Sequence, residues 1–321
     1  MKHTKHLGLL LLFVIVGCTP AAPLPVATQG QPEMVATIAP TAVSPTETSA
    51  GLWEVVLQTE VEQPVRMAAF LDGTFGLTGG ADNAGRAHYT SDGGQTWTKA
   101  TNSSGCLFAL DIVDAQTAWE CNASDIRLST DGGQTWQGAP TGRGQPLCQV
   151  SALDDKIAWH LDPVKLEVTL DGGATTEEVS LPEGVRPANV LAIALRTPSD
   201  GYVLDDTGTL YTTRDGGQSW TSQNVGLQER FGEMEPMPPG GIAPAAMRFL
   251  DAEHGVIVMS VLGGGSSKTM ALRTADGGQT WTEESVPAEF GTAYLTRDGE
   301  FLTIHAYLNS GHITVLRYTG N

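Results

Sequence analysis

Positive charge is what this sequence has least of. Its 321 residues carry 18 Lys and Arg against 36 Asp and Glu, a formal charge of −18. A surface that acidic repels phosphate backbones, which argues against nucleic acid as a partner. Cysteine is sparse too, and four thiols in a chain of this length cannot make a disulfide scaffold. The seven histidines are scattered, with no His-Glu-x-x-His pair for zinc, and no Gly-x-Ser-x-Gly turn presents a nucleophile. This pattern implies neither a metal nor an organic cofactor. No apolar run reaches the length of about twenty residues that crosses a bilayer; residues 7–16 come nearest, with ten. Glycine (38) and proline (18) are plentiful instead, and with only 17% charged residues the balance favours turn-rich β architecture over helical bundles.

Lys2 and Lys5 precede the apolar run, and Ile15-Val16-Gly17-Cys18 then sets a small residue before a cysteine. The arrangement resembles a bacterial lipoprotein signal peptide with its lipobox. The resemblance implies that residues 1–17 are removed and that Cys18 becomes the lipidated first residue. It also implies an extracytoplasmic protein anchored at the cell membrane or outer surface, since several acyl chains on one residue hold where one is marginal. Residues 18–50 follow as a linker: Ala, Pro and Thr make up 19 of the 32 residues from 19 to 50, a composition that forms no core.

Beyond the linker, one phrase recurs five times. Residues 90–97 read TSDGGQTW, 129–136 STDGGQTW, 169–176 TLDGGATT, 213–220 TRDGGQSW and 274–281 TADGGQTW. Their aspartates, Asp92, Asp131, Asp171, Asp215 and Asp276, are 39, 40, 44 and 61 residues apart, the spacing of one four-stranded unit plus its loops. Alternating apolar stretches before each box predict strands A, B and C, with the box as the turn into strand D. The chemistry of the box is structural: paired glycines permit positive φ, the carboxylate accepts bonds across the turn, and Trp97, Trp136, Trp220 and Trp281 supply flat apolar faces for packing. One carboxylate per box is too few for calcium. Thr176 stands where the third box should have Trp, so a weaker seam is expected there.

These phrases resemble the BNR, or Asp-box, repeat of sialidase-like β-propellers, over residues 51–321. The fold expected is all-β, a propeller of six blades, with seven as the alternative count. After the fifth box come three more strands, and the chain stops at Gly320-Asn321, inside what would be a sixth box. The missing half stands at the other end of the domain, where Trp53 opens an alternating segment, so the N-terminal strand is expected to close the last blade.

Boxes lie on one face of such a ring, and D-to-A and B-to-C connections on the other. Residues 222–246 and the glycine-rich 262–268 both fall on the second face, where Phe231, Met234 and Met237 are candidate contacts for a protein or glycan. Arg66 and Arg248 begin inner strands and are further candidates. A disulfide is expected among Cys106, Cys121 and Cys148, with Cys106–Cys121 preferred because strands A and B adjoin; the spacing C-x14-C-x26-C matches no usual metal site. The resemblance also raises a cell-surface exo-sialidase or other glycoside hydrolase. The Phe-Arg-Ile-Pro signature of sialidases is absent, however, and the boxes look closer to non-catalytic propellers such as the photosystem II assembly and stability factors, which act as binding scaffolds.

Overall fold

The computed structural model describes residues 52–62, 65–80, 87–103, 109–122, 125–137, 148–227, 245–263, 266–306 and 311–320. Strands dominate, and a 3₁₀ turn at Pro187–Asn189 is a brief exception. Six antiparallel sheets, five of them ordered along the chain and the sixth completed by the first strand, follow one another as the expected six blades. Blade 1 holds Val65–Phe70, Gly76–Gly80, His88–Thr90 and Thr98–Lys99 as strands A to D. Blade 2 shows Ala109–Ile112, Ala118–Asn122 and Asp125–Ser129, with strand D not among the described residues. Blades 3, 4 and 5 begin with Gln149–Ala152, Val190–Leu195 and Ala245–Phe249.

Blade 6 confirms the split box. Gly291–Leu295, Phe301–Ala306 and His312–Tyr318 are followed in the sheet by Trp53–Glu60, which pairs from Trp53↔Tyr318 to Glu60↔His312. Thr319 donates its N–H to the Leu52 carbonyl at 2.8 Å, bridging the two halves of the split box. Trp53 is buried, edge-on to Tyr318 at 5.2 Å, and its indole donates to Glu284 of blade 5 at 3.1 Å.

Each box folds by the same bonds. In the fifth, Asp276 Oδ1 accepts from the Thr280 N–H at 2.9 Å and the Thr274 hydroxyl at 2.8 Å, while Oδ2 takes the Thr280 hydroxyl at 2.6 Å. The Thr274 oxygen in turn accepts the Gly278 N–H at 2.8 Å. The second glycine of a box has positive φ and faces the preceding blade. A Cβ on Gly133 would stand 2.4 Å from Leu77, and one on Gly217 2.3 Å from Val179, so only glycine lets the blades close up. At the third box, the nearest atom to such a Cβ on Gly173 is 3.5 Å away, in Trp119. Thr176, lacking an indole, donates its hydroxyl to Glu167 at 2.8 Å.

The box carboxylates are pulled below their ordinary 3.8. Hydroxyl and then backbone bonds from Ser219 bring Asp215 to about 2, and the same pair of bonds from Thr280 brings Asp276 to about 2. A carboxylate with a depressed folded pKa stabilises the fold above its unfolded pKa and loses that contribution as pH falls toward the folded value. Thermal midpoints should therefore be steady from pH 7 to about 5 and drop between about 4 and 2. Asp276→Asn should lower the midpoint at pH 7 and flatten the drop, which melts at half-unit intervals of pH will show.

Candidate binding face and central channel

Inner strands bring polar groups from four blades to one point. Arg248, on strand A of blade 5, forms an ion pair with Asp111 on strand A of blade 2. Its Nε donates to the Leu295 carbonyl of blade 6 at 3.1 Å, and Nη1 to the Ser151 hydroxyl of blade 3 at 3.3 Å. Asp111 also accepts the Ala152 N–H at 2.7 Å. The Tyr294 ring lies 5.9 Å from the guanidinium, and its hydroxyl both donates to the Ile112 carbonyl and accepts the Ile112 N–H at 3.1 Å. Burial, and then the Asp111 charge, push the Tyr294 pKa far above 10. Burial works against the Arg248 charge, but Asp111 raises its pKa. Arg248 is thus a brace across the channel, with one bond each from Nε, Nη1 and Nη2 to blades 6, 3 and 2.

Above this brace, a cavity of about 70 Å³ opens where the A strands begin, lined by Met67, Val150, Ile193, Met247, Arg248 and Tyr294 among others. Small-molecule sites enclose roughly 300–1,000 Å³, several times this volume. The surrounding face offers more relief. In blade 5, strands His254–Gly263 and Ser266–Ala275 are ten residues each and pair to Gly263↔Ser266, so 262–268 is largely a projecting hairpin where the sequence suggested a loop. The largely apolar run that begins at Val256 continues to Leu262, and the ladder extends up to the glycines. On blade 3, the turn after Ala158–Leu161 presents Val164, 79% exposed and held by a 2.6 Å bond from its N–H to Asp162. An Asp-Pro-Val turn is visible in the sequence, and only its placement on this face gives it meaning.

Phe231, Met234 and Met237 lie outside the described residues, as do Cys18 and Cys106. Arg66 falls at a register shift between Val65 and Met67 in blade 1, and its side chain is likewise outside the description. Among the described residues, no helix is long and apolar enough to cross a membrane.

The disulfide is Cys121–Cys148, with Cα atoms 6.2 Å apart, in place of the expected Cys106–Cys121. Within blade 2 the residue opposite Cys121 is Ala109, three positions past Cys106. Side chains leave a sheet through its faces, so Cys121 meets a cysteine of the next blade. Trp119 shares that face, and its indole donates to the Asp154 carbonyl of blade 3 at 2.8 Å. Close beside the cysteines is His160, on strand B of blade 3, which the sequence did not single out. One ligand atom of each of the three residues lies within 4.8 Å of the other two. Burial depresses the His160 pKa, outweighing nearby Asp162 and Glu167, so the ring is neutral and its 3.9 Å approach to Glu167 is no ion pair near pH 7. Glu167 titrates low despite its burial, because Lys165, at 2.7 Å, and Thr176 bond to it.

The family model of the BNR/Asp-box repeat matches residues 127–137, the second box and its approach strand. No curated protein matches the chain. Among solved structures, YCF48 bound to D1 peptide is 18% identical, covering 85% of this chain and 99% of that one, with a TM-score of 0.49. YCF48 from Cyanidioschyzon merolae is 17% identical over 84% of this chain and 99% of that one, TM-score 0.43. The GH74 enzyme of Niastella koreensis is 15% identical over 80% of this chain but only 43% of that one, TM-score 0.46. The boxes and the strand order of the chain itself make it a six-bladed β-propeller of BNR/Asp-box repeats.

Proposed function

We propose that this propeller is a non-catalytic scaffold, held outside the cytoplasm by a lipid on Cys18, that binds a protein or glycan on the face opposite its boxes. The observation that carries the reading is the Arg248–Asp111 brace. It ties Arg248 and Asp111 to each other and to neighbouring blades, Tyr294 spends its hydroxyl on the Ile112 backbone, and the cavity above them, about 70 Å³, is small beside the roughly 300–1,000 Å³ of small-molecule sites. Binding then falls to the rim, where the blade 5 hairpin and Val164 stand out. An exposed apolar side chain on a strongly acidic protein is cheap for a partner to desolvate, which favours a protein over a glycan.

Capture of partners from an envelope extract, with the soluble form beginning at residue 51 as bait, tests the reading. Val164→Asp together with replacement of 228–244 by a short linker should abolish capture while leaving the melting curve in place. Hydrolysis of acidic or neutral oligosaccharides by the unaltered protein would sink it. Cys18→Ser should move the full chain from the membrane to the soluble fraction, and retention of the variant would remove the lipid from the account.

A further inference from the structure

At the seam between blades 2 and 3, Cys121 closes strand B of one blade, Cys148 precedes strand A of the next, and His160 lies on strand B of that same blade. All three are buried, and their ligand atoms lie within 4.8 Å of one another. His160 is paired in register with Val150 and Glu167, so its ring, Cys148 and the Glu167 carboxylate share the face of blade 3 turned toward Cys121. Nε2 of His160 is buried with no hydrogen-bond partner, while Nδ1 lies 3.9 Å from Glu167. An imidazole with one nitrogen turned to a carboxylate and the other left over, beside two sulfurs, has the make-up of a metal ligand and its outer partner.

We infer that this seam is a redox-gated site for a thiophilic d10 cation, Cu(I) or Zn(II), bound by Cys121, Cys148 and His160 once the disulfide is opened. Opening needs a dithiol reductant. The Cys121–Cys148 bond takes two electrons and two protons from it and becomes two thiols, while the dithiol is oxidised to its own disulfide. The cation then displaces both thiol protons and takes the two thiolates and the imidazole, a soft set that selects these ions over Mg²⁺ or Ca²⁺. Three ligands contributed by two blades make the metal a clamp across the seam, in the place the disulfide held. Short-range spacing rules miss such a site because its ligands stand 27 and 12 residues apart and converge only through the ring.

The test uses the full chain with Cys18→Ser and Cys106→Ser, so that Cys121 and Cys148 are the only thiols. Cu(I) and Zn(II) are titrated against chromogenic chelators into oxidised and phosphine-reduced protein. One equivalent of either ion should be captured by the reduced chain and none by the oxidised one, and His160→Ala should weaken capture at least about 100-fold. X-ray absorption of the Zn(II) form should show two sulfurs near 2.3 Å and one nitrogen near 2.0–2.1 Å. A rise in the melting temperature of the reduced chain on adding metal reads the site without any substitution at His160, should that variant fold poorly. No capture by the reduced chain, or capture indifferent to oxidation or to His160, overturns the inference.

Discussion

A chain that begins at residue 61 should melt at least about 10 °C below one that begins at residue 51, or fail to fold. The missing segment is the outer strand of blade 6. It contributes seven registered pairs to His312–Tyr318 and the buried Trp53, with its contacts to Tyr318 and Glu284. Losing a buried tryptophan alone costs about 3–5 kcal/mol, against a total stability of about 5–15. Its removal also leaves His312–Tyr318 as a bare edge. Moving residues 51–60 to the far end supplies the control. Joined after Asn321 through two added glycines, they restore the eight-residue length of the other boxes, and the melt should return to within about 2 °C of the original. Equal midpoints for the short and long chains would mean that the ring does not depend on this strand.

The second large effect is at the channel brace. Asp111→Leu leaves the Arg248 guanidinium, 12% exposed, without its counter-charge, and breaking one partner of such a pair costs about 3–5 kcal/mol. Arg248→Met strands a carboxylate that is 0% exposed and should cost a similar amount. With both replaced, as Asp111→Leu and Arg248→Met, no buried charge is left. The double variant should then be more stable than the sum of the single losses by roughly 2–3 kcal/mol. Urea unfolding of the four proteins gives the coupling directly, and a coupling near zero would mean that the pair does not tie blades 2 and 5 together.

How much of this was legible in the sequence depended on the range of the force involved. The boxes were readable because each is a local device: Gly132 and Gly133 have positive φ, and Asp131 bonds within four residues of itself. The split box was readable by the same logic, since half a motif at each end of a domain has one natural completion. Arg248 and Asp111 are 137 residues apart, and nothing in either inner strand announces the other. Adjacency of strands A and B points Cys121 to Cys106, whereas the direction of its side chain sends it to Cys148 in the next blade. In blade 5 the glycines at 263–265 suggested a loop, whereas the ladder that starts at His254↔Ala275 carries on to Gly263↔Ser266.

The closing strand has a mechanical consequence. Trp53–Glu60 enters blade 6 at the box face and runs toward the opposite face, and in the proposed reading the anchor on Cys18 lies upstream of its first residue. Tension between that anchor and a partner on the far face would pull this strand along its own axis. Every pair with His312–Tyr318 would then share the load at once, in shear, instead of opening one after another from an end. With the proposed anchor in place, a ring closed by this strand would take such a load in shear.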